Sequence, residues 1–357
     1  MLLVDDSPSV RAVLRRFLAR TGDIQVVAEA ADGAQAVQAV LEHLPQVVVM
    51  DLQMPVMDGY GAIERIMTLR PTPILVLSSR ANRNQMQTAF EAIRRGAIEV
   101  LPKPEDTGSW EVLAGSLPRT VRVVAAARPR ALPLPVRAPR TSGGSGSSGS
   151  GSGAEPAAAA RDGGSLRWVA IGASTGGPAA IRELLEEVPP EPPVSFLIVQ
   201  HIAAGFEGAM AEWLNKELPL DVRLACDAES PRRGAVRLAP AGAHLRLAAG
   251  GVLRLDAETP ARRGHRPSAD ELFRSCAESF PGESAGVLLT GMGADGVEGL
   301  AALRGAGALT MVQDEASSVV FGMPRVALER GAAEVALAPR DLARALAQAW
   351  QRRREPG

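Results

Sequence analysis

Cysteine and lysine are nearly absent from this sequence of 357 residues. Its two cysteines, Cys226 and Cys276, cannot make a disulfide framework, and residues 1–5 lack the basic start of an export signal. We therefore expect a protein of the reducing cytoplasm. The only lysines are Lys103 and Lys216, because arginine supplies the positive charge elsewhere. Either lysine therefore suggests a chemical role.

Long hydrophobic runs and an excess of basic residues are missing as well. No apolar segment is long enough to span a bilayer, so no membrane insertion is expected. The formal net charge of -1 argues against a nucleic-acid partner. An apolar fraction of 46% is typical of a soluble globular protein, and the length suits two domains.

Short apolar segments alternate with helical periods along the first hundred residues. One helical stripe follows Ser7 and Pro8, a capping residue and a first-turn proline. The candidate strands are residues 2–4, 25–28, 47–50, 74–77 and 98–101. Because nearly all-apolar strands are typical of parallel sheets, residues 1–106 are predicted to form a five-stranded, doubly wound α/β domain.

Residues 107–164 are predicted to be a linker, first rich in proline and arginine and then nearly pure glycine and serine. Residues 165–352 are predicted to form a second, mainly parallel α/β domain, also doubly wound. Its candidate strands are residues 168–171, 194–199, 287–289 and 309–312, and its candidate helices are residues 178–188, 270–279, 297–304 and 341–352.

In the first domain, polar residues follow the predicted strands. Asp5 and Asp6 end the first strand, Asp51 the third and Ser78 the fourth, and Lys103 follows the fifth. Three carboxylates meeting at one sheet edge would bind a divalent cation, preferably Mg²⁺. A carboxylate can attack a phosphoryl group while a lysine offsets the developing charge. The alternative, loop acids and a surface lysine, requires every one of them to coincide with a strand end.

These residues resemble a response-regulator receiver domain through the motifs at 4–7 (VDDS), 50–55 (MDLQMP), 78–79 (SS) and 103–104 (KP). The resemblance implies that Asp51 is the phosphoacceptor and that Asp5 and Asp6 organise Mg²⁺, with the backbone carbonyl of Gln53 as a further ligand. It also implies that Ser78 is the switch hydroxyl and that Lys103 contacts the phosphoryl group.

In the second domain, residues 172–176 form a G-x-S-x-G motif between a predicted strand and a predicted helix. That context is typical of a nucleophile elbow, with Ser174 as the nucleophile. Helix-start N–H groups next to it can stabilise an oxyanion. The alternative is a phosphate-binding loop of a dinucleotide fold, but the G-x-G-x-x-G spacing is not met.

A serine nucleophile needs a base, and this domain offers His201, His244 and His265. His201 follows an apolar strand, on the sheet edge expected for Ser174, although a lone histidine is more often structural. Asp295, in a glycine-rich loop after another strand, is the candidate orienting acid. The alternative for that loop is a plain turn.

The chain order Ser174, His201, Asp295 differs from that of α/β-hydrolases. Residues 171–177, 199–201, 266–270 and 289–296 instead resemble the catalytic domain of the chemotaxis protein-glutamate methylesterase, a family that places a receiver in front of the esterase. The resemblance implies that Ser174 is the nucleophile, His201 the general base and Asp295 its orienter. It also implies that Thr175 and Met292 line the site near the oxyanion, and that His265 and Asp270 shape it.

The implied reaction is hydrolysis of a glutamate methyl ester on a methyl-accepting chemoreceptor, activated by phosphotransfer from a sensor histidine kinase. Glutamine deamidation is a second activity known in that family. No cofactor is expected in the esterase domain, and a cytoplasmic enzyme recruited to receptor arrays is expected. Two alternatives stay open, a receiver-regulated serine esterase acting on another ester and a phosphorylation-dependent binding protein.

Overall fold

A computed structural model describes residues 1–78, 83–104, 106–129 and 165–352. The first domain is a parallel sheet between helices. Its strands are β1 (Leu2–Val4), β2 (Ala28–Ala30), β3 (Val48–Asp51), β4 (Ile74–Ser78) and β5 (Glu99–Pro102), and its helices are α1 (Pro8–Ala19), α2 (Gly33–His43), α3 (Gly59–Leu69), α4 (Arg83–Arg94) and α5 (Thr107–Ala125). The strand order β2-β1-β3-β4-β5 confirms the predicted five-stranded, doubly wound sheet.

Helix α5 shows that the predicted domain boundary at residue 106 is too early. Its apolar side chains are buried against the sheet at helical spacing: Leu113, Leu117, Val121 and Val124. Arg122 on its outer face pairs with Asp23 at 2.7 Å. Pro118 lies inside the helix. Because proline is unfavourable in a helix interior, it argues in the sequence against a helix here. The linker therefore cannot begin at residue 107, and its predicted part at 130–164 lies outside the described residues.

The second domain contains a larger parallel sheet. Its strands are β6 (Trp168–Ala173), β7 (Ser195–Gln200), β8 (Asp221–Leu224), β9 (Ala235–Leu238), β10 (His244–Ala248), β11 (Val252–Asp256), β12 (Ser284–Leu288), β13 (Leu309–Gln313) and β14 (Val335–Leu337). Its α-helices are α6 (Gly177–Glu186), α7 (Phe206–Glu217), α8 (Ala269–Ser279), α9 (Val297–Gly305), α10 (Met323–Glu329) and α11 (Pro339–Arg352). The described part of the chain has no helix that combines the length and apolarity needed to cross a membrane.

Strand β6 is central in the sheet order β14-β13-β12-β6-β7-β9-β8, and β10 and β11 form a separate antiparallel hairpin. The chain passes from β6 to β7 on one side and later returns through β12 on the other. This is the switch point at which α/β sheets open a crevice at the carboxyl ends of their strands. Residues that follow β6, β7 and β12 therefore converge there.

The two domains contact each other through α4 and α7. Phe90 of α4 stacks on Trp213 of α7, with ring centroids 5.5 Å apart, and meets Phe206 edge-on at 6.4 Å. All three rings are buried. The apolar cores of the two domains are therefore continuous across this contact.

Candidate active site and receiver site

The turn that carries Ser174 joins β6 to α6. The N–H of Ser174 donates to the Thr290 carbonyl at 3.0 Å, and the N–H of Gly177 donates to the Ser174 carbonyl at 2.8 Å. Gly176 has a positive φ of 76°, a conformation that glycine adopts without steric cost. The half-buried Ser174 therefore lies in the strand–turn–helix context predicted from its motif.

Gln200 fixes this turn relative to His201. Its side-chain amide donates to the carbonyls of Ser174 at 2.8 Å and of His201 at 2.9 Å. Ala173 and Gln200 are also paired across β6 and β7. A Cβ on Gly177 would overlap the Gln200 side-chain oxygen, so glycine is required there. The role of Gln200 could not be predicted from the sequence, because nothing local distinguishes it from an ordinary strand-end residue.

His201 is bound to Asp295 through its Nε2 atom, 2.8 Å from Asp295 Oδ2. The histidine side chain is 9% exposed and that of Asp295 only 2%. The His201 Nδ1 atom is buried and has no hydrogen-bond partner among the described protein atoms. Because a carboxylate can only accept, we assign the proton to Nε2, which leaves Nδ1 as a proton acceptor.

Asp295 belongs to the loop before α9, and its carboxylate lies against the N-terminus of α8. It accepts hydrogen bonds from the Ser268 hydroxyl at 2.6 Å and the Ala269 N–H at 2.7 Å. Burial by itself raises the pKa of Asp295, but the hydrogen bond and charge of His201, with those two donors, lower this pKa to about 2. Asp295 is therefore an ionised carboxylate with a fixed orientation.

The loop after β12 packs directly on the Ser174 turn. The Thr290 hydroxyl donates to the Thr175 carbonyl at 3.0 Å. A Cβ on Gly291 would lie 2.6 Å from the Ser174 Cβ and 2.5 Å from the Met323 Sδ, so only glycine allows this approach. The next residue, Met292, is 41% exposed. The predicted roles of Thr175 and Met292 near the oxyanion stay predictions.

The other two histidines have different surroundings. His244 is buried, and its Nδ1 accepts the Ser268 N–H at 3.2 Å. It therefore supports the segment of Ser268 and Ala269, which binds Asp295. His265 lies face to face with His201, with ring centroids 3.8 Å apart and planes 7° apart. The two rings border a cavity of about 230 Å³ that Glu207 and Arg266 also line.

In the first domain, Asp5, Asp6 and Asp51 each place a carboxylate oxygen within 4.8 Å of the others. The Lys103 ammonium lies 2.8 Å from Asp5 Oδ2 and 2.5 Å from Asp51 Oδ2. Burial raises the pKa of Asp5 above its usual value, although Lys103 opposes this. Burial lowers the pKa of Lys103, but both carboxylates more than offset this, so it stays cationic. The oxygen cluster has the chemistry of a divalent-cation site.

One carboxylate oxygen of Asp51 is hydrogen-bonded to the neighbouring backbone. Asp51 Oδ1 accepts the N–H groups of Leu52 at 2.7 Å and of Gln53 at 3.4 Å. Ser78 ends β4 beside β5 and is buried. The other carboxylate oxygen of Asp51, Oδ2, faces the Lys103 ammonium.

Glu99 connects the first domain to the Ser174 turn. This β5 residue is 7% exposed, and the Thr175 side chain and the Gly176 N–H lie where they stabilise the charged form of its carboxyl group. Burial raises the pKa of Glu99 to about 8, although these donors oppose the shift. The role of Glu99 could not be predicted from the sequence, because its neighbours Thr175 and Gly176 lie in the other domain.

Comparison with known proteins matches both halves of the chain. Residues 169–346 match the CheB methylesterase family, and residues 1–111 match the response regulator receiver domain. A crystal structure of the Thermotoga maritima CheB methylesterase catalytic domain is similar, with a TM-score of 0.50 and 33% identity. That similarity covers 52% of this chain and 98% of the other.

Two full-length relatives carry the same name, protein-glutamate methylesterase/protein-glutamine glutaminase. One from Cupriavidus pinatubonensis is 39% identical, over 95% of each chain. One from Myxococcus xanthus is 40% identical, over 98% of this chain and 97% of its own. With a receiver domain followed by a methylesterase domain, this chain belongs to the family of protein-glutamate methylesterases/protein-glutamine glutaminases.

Proposed function

We propose that the protein hydrolyses glutamate methyl esters on chemoreceptors and releases methanol, under control of its receiver domain. One observation carries the proposal: Ser174 and His201 follow paired neighbouring strands, and His201 is bound to the buried Asp295 at 2.8 Å. This arrangement has the parts of a serine hydrolase. The names of the relatives supply the substrate class, a glutamate ester in a protein.

In the proposed reaction, the Ser174 hydroxyl attacks the ester carbonyl while His201 Nδ1 takes its proton. Asp295 accepts the Nε2–H and stabilises the imidazolium that forms. His201 then returns the proton to the departing methoxide, so methanol leaves. A water molecule, activated in the same way, hydrolyses the acyl-enzyme. With a glutamine side chain as substrate, the same steps would release ammonia.

We propose that Asp51 accepts the phosphoryl group from a sensor histidine kinase and that Lys103 contacts its oxygens. Asp5, Asp6, Asp51 and the Gln53 carbonyl would hold Mg²⁺, which would offset the negative charge of the transferring group. The raised pKa of Asp5 supports this ligand set, because a divalent cation would relieve the cost of its buried charge. Ser78 would donate a hydrogen bond to the phosphorylated Asp51.

The contacts between the domains support autoinhibition. Glu99 lies against the residues that follow Ser174, and the buried Phe90 stacks on Trp213 of α7. A receiver docked at this turn would hinder the approach of a chemoreceptor helix to Ser174. Phosphorylation would draw Lys103 toward the new phosphoryl group, and this lysine directly follows the strand that carries Glu99. A shift of about 1–3 kcal/mol in docking is enough to change activity several-fold.

Methanol release from methylated receptor membranes, with and without a phosphodonor, tests the proposal. We expect stimulation by the phosphodonor and no release by Ser174→Ala. Activity on small soluble esters but not on receptors would favour the alternative esterase. If neither ester is cleaved and a fluorophosphonate does not label Ser174, the protein is instead a phosphorylation-dependent binding protein.

A further inference from the structure

His265 lies against the face of the proposed base. Its ring and that of His201 are 3.8 Å apart between centroids and nearly parallel, at 7°. Asp295 binds the edge of the same His201 ring, through Nε2. His201 is therefore held at an edge by a hydrogen bond and on a face by a flat ring.

The turn that presents His265 is built to be rigid. Arg262 and His265 exchange two backbone hydrogen bonds, of 2.9 and 2.8 Å. Arg263 and Gly264 between them both have positive φ, of 50° and 84°, as a tight two-residue turn requires. The Arg262 guanidinium anchors the turn on α8 and α9, where its partners are Asp270, Glu271 and Glu298.

The charges around His265 keep its ring neutral. Burial, and the charge that His201 carries when it is protonated, lower the pKa of His265 to about 4, against the opposing charge of Asp295. Arg119, on helix α5 of the receiver, lowers it further. The remaining charged groups bordering the shared cavity are Glu207 and Arg266. At neutral pH His265 is therefore an uncharged aromatic surface, and it does not compete with His201 for the proton taken from Ser174.

A single edge contact does not fix the plane of an imidazole. With Nε2 held by Asp295, the ring can still tilt about the line through Cβ and Nε2, and Nδ1 lies off that line. A flat neighbour packed on the face removes this freedom, and a neutral aromatic face also stabilises the imidazolium formed during the reaction. Displacement of a catalytic atom by about 1 Å can cost about 100-fold in rate.

We propose that His265 is a positioning residue for the ester hydrolysis: its ring packs on His201 and directs Nδ1 toward Ser174. This inference rests on the proposed role of His201 as the general base. It assigns no proton transfer to His265. A flat, non-ionisable ring of similar size should therefore hold the His201 ring in the same orientation.

The experiment compares His265→Phe with His265→Ala in the full-length protein at saturating phosphodonor. We expect His265→Ala to lower kcat about 10- to 100-fold with KM within about threefold, because positioning acts on the chemical step. His265→Phe should stay within about threefold of the wild type, with the same pH profile of kcat/KM. Imidazole ¹⁵N NMR should show a single His201 tautomer in the wild type and His265→Phe, but averaged tautomers in His265→Ala. The exposed His43, in the receiver, supplies the control His43→Ala.

Wild-type kcat in His265→Ala, or equal losses in both variants, would overturn the inference. Fluorophosphonate labelling of Ser174 separates this outcome from a failure of the proposed function, since it needs His201 but no receptor. If His201→Ala labels as fast as the wild type, the proposed function fails. If labelling depends on His201 but is equally fast in His265→Ala, only the positioning role fails. Thermal unfolding of each variant identifies a loss caused by misfolding, in which case His265→Leu replaces His265→Ala and must show the same deficit.

Discussion

The carboxyl group of Glu99, in the receiver domain, lies against the side chain of Thr175, the residue next to Ser174, and Thr175 stabilises its charged form. Glu99 begins β5, and Lys103, which pairs with Asp51, follows the end of that strand. One short strand therefore connects the proposed phosphoacceptor to the proposed nucleophile turn. This connection would give the proposed regulation a physical route, because a movement of Lys103 would also act on the strand that holds Glu99.

Burial raises the pKa of Glu99 from its ordinary value of 4.5 to about 8. We attribute this burial to docking against the Ser174 turn and therefore expect docking of the receiver to weaken as the pH rises. Between these values the docked state binds a proton that the released state does not. Docking is therefore strongest below this window and declines across it, by up to about tenfold per pH unit.

The measurement is the methanol-release rate of the unphosphorylated full-length protein, divided by that of the 165–357 fragment at the same pH. This ratio should rise between about pH 6 and about pH 8 in the wild type and stay flat in Glu99→Gln, which cannot ionise. Glu42→Gln changes an exposed glutamate of the receiver and should follow the wild type. An equally steep rise in Glu99→Gln would show that another group causes it.

Removing the Phe90 ring should release the esterase without phosphorylation. Truncating a buried phenylalanine to alanine typically lowers the free energy of unfolding by about 3–5 kcal/mol. Because the Phe90 ring is buried against α7, we expect a loss in docking free energy larger than the shift proposed for phosphorylation. We expect Phe90→Ala to raise basal methanol release toward the rate of the 165–357 fragment. Val112→Ala, at a 74% exposed apolar position of the receiver, should keep the low basal rate. Basal rates for Phe90→Ala and the free fragment equal to that of the wild type would exclude autoinhibition.

Much of the fold could be predicted from the sequence, because strands buried in a parallel sheet consist of uninterrupted apolar residues. Strands β1, β6 and β13 begin at their predicted residues. Strands β8, β9, β10 and β11 escaped prediction, since each carries an arginine within its apolar run. Their pairing depends on distant segments, so local pattern does not reveal them.

The candidate site residues also fall into two groups, those that a local sequence pattern indicates and those whose roles depend on distant segments. Ser174, His201 and Asp51 could be selected because each stands at or just beyond the end of a strand, where a parallel sheet gathers its chemistry. Gln200 and Ser268 could not, because their roles arise from contacts with residues far along the chain. The stacking of His265 on His201 likewise depends on how a loop folds back over the sheet.

Asp51→Asn should hold the full-length protein at its low, unstimulated rate when kinase or acetyl phosphate is added. The amide cannot form the acyl phosphate, while its similar shape leaves the docked arrangement intact. Chelation of Mg²⁺ with EDTA should likewise abolish stimulation, since the three-carboxylate cluster would lose its cation. The 165–357 fragment should be insensitive to EDTA. Stimulation that survives Asp51→Asn would place the phosphorylation elsewhere.

Replacing the proposed triad residues should give unequal losses. Ser174→Ala and His201→Ala remove groups that transfer atoms and should each lower kcat by about 10⁶-fold, whereas Asp295→Asn should lower it by about 10⁴-fold. Ser268 donates to Oδ1 of Asp295, whereas Ala269 and His201 bind Oδ2, so the single oxygen of asparagine can serve only one of these sides, and it cannot stabilise the imidazolium as a carboxylate does. Single-turnover methanol release, with circular dichroism as the control for folding, tests this ranking. Near-normal turnover by Ser174→Ala would require another nucleophile.

Gly291→Ala should damage both the fold and the site, because a Cβ at this position would lie 2.6 Å from the Ser174 Cβ and 2.5 Å from the Met323 Sδ. Relieving this overlap has to move the loop or the Ser174 turn, at a cost of about 1–3 kcal/mol in the free energy of unfolding. A displaced Ser174 should also react about 100-fold more slowly with a fluorophosphonate. Gly305→Ala, in helix α9, where a Cβ meets no atom within 4 Å, is the matched control. It should leave the labelling rate unchanged and should not lower the free energy of unfolding, since alanine favours a helix over glycine by up to about 1 kcal/mol. Equal urea unfolding curves and labelling rates for the two variants would mean that the loop yields without disturbing Ser174, and that the close packing of Gly291 on the turn does not hold the nucleophile.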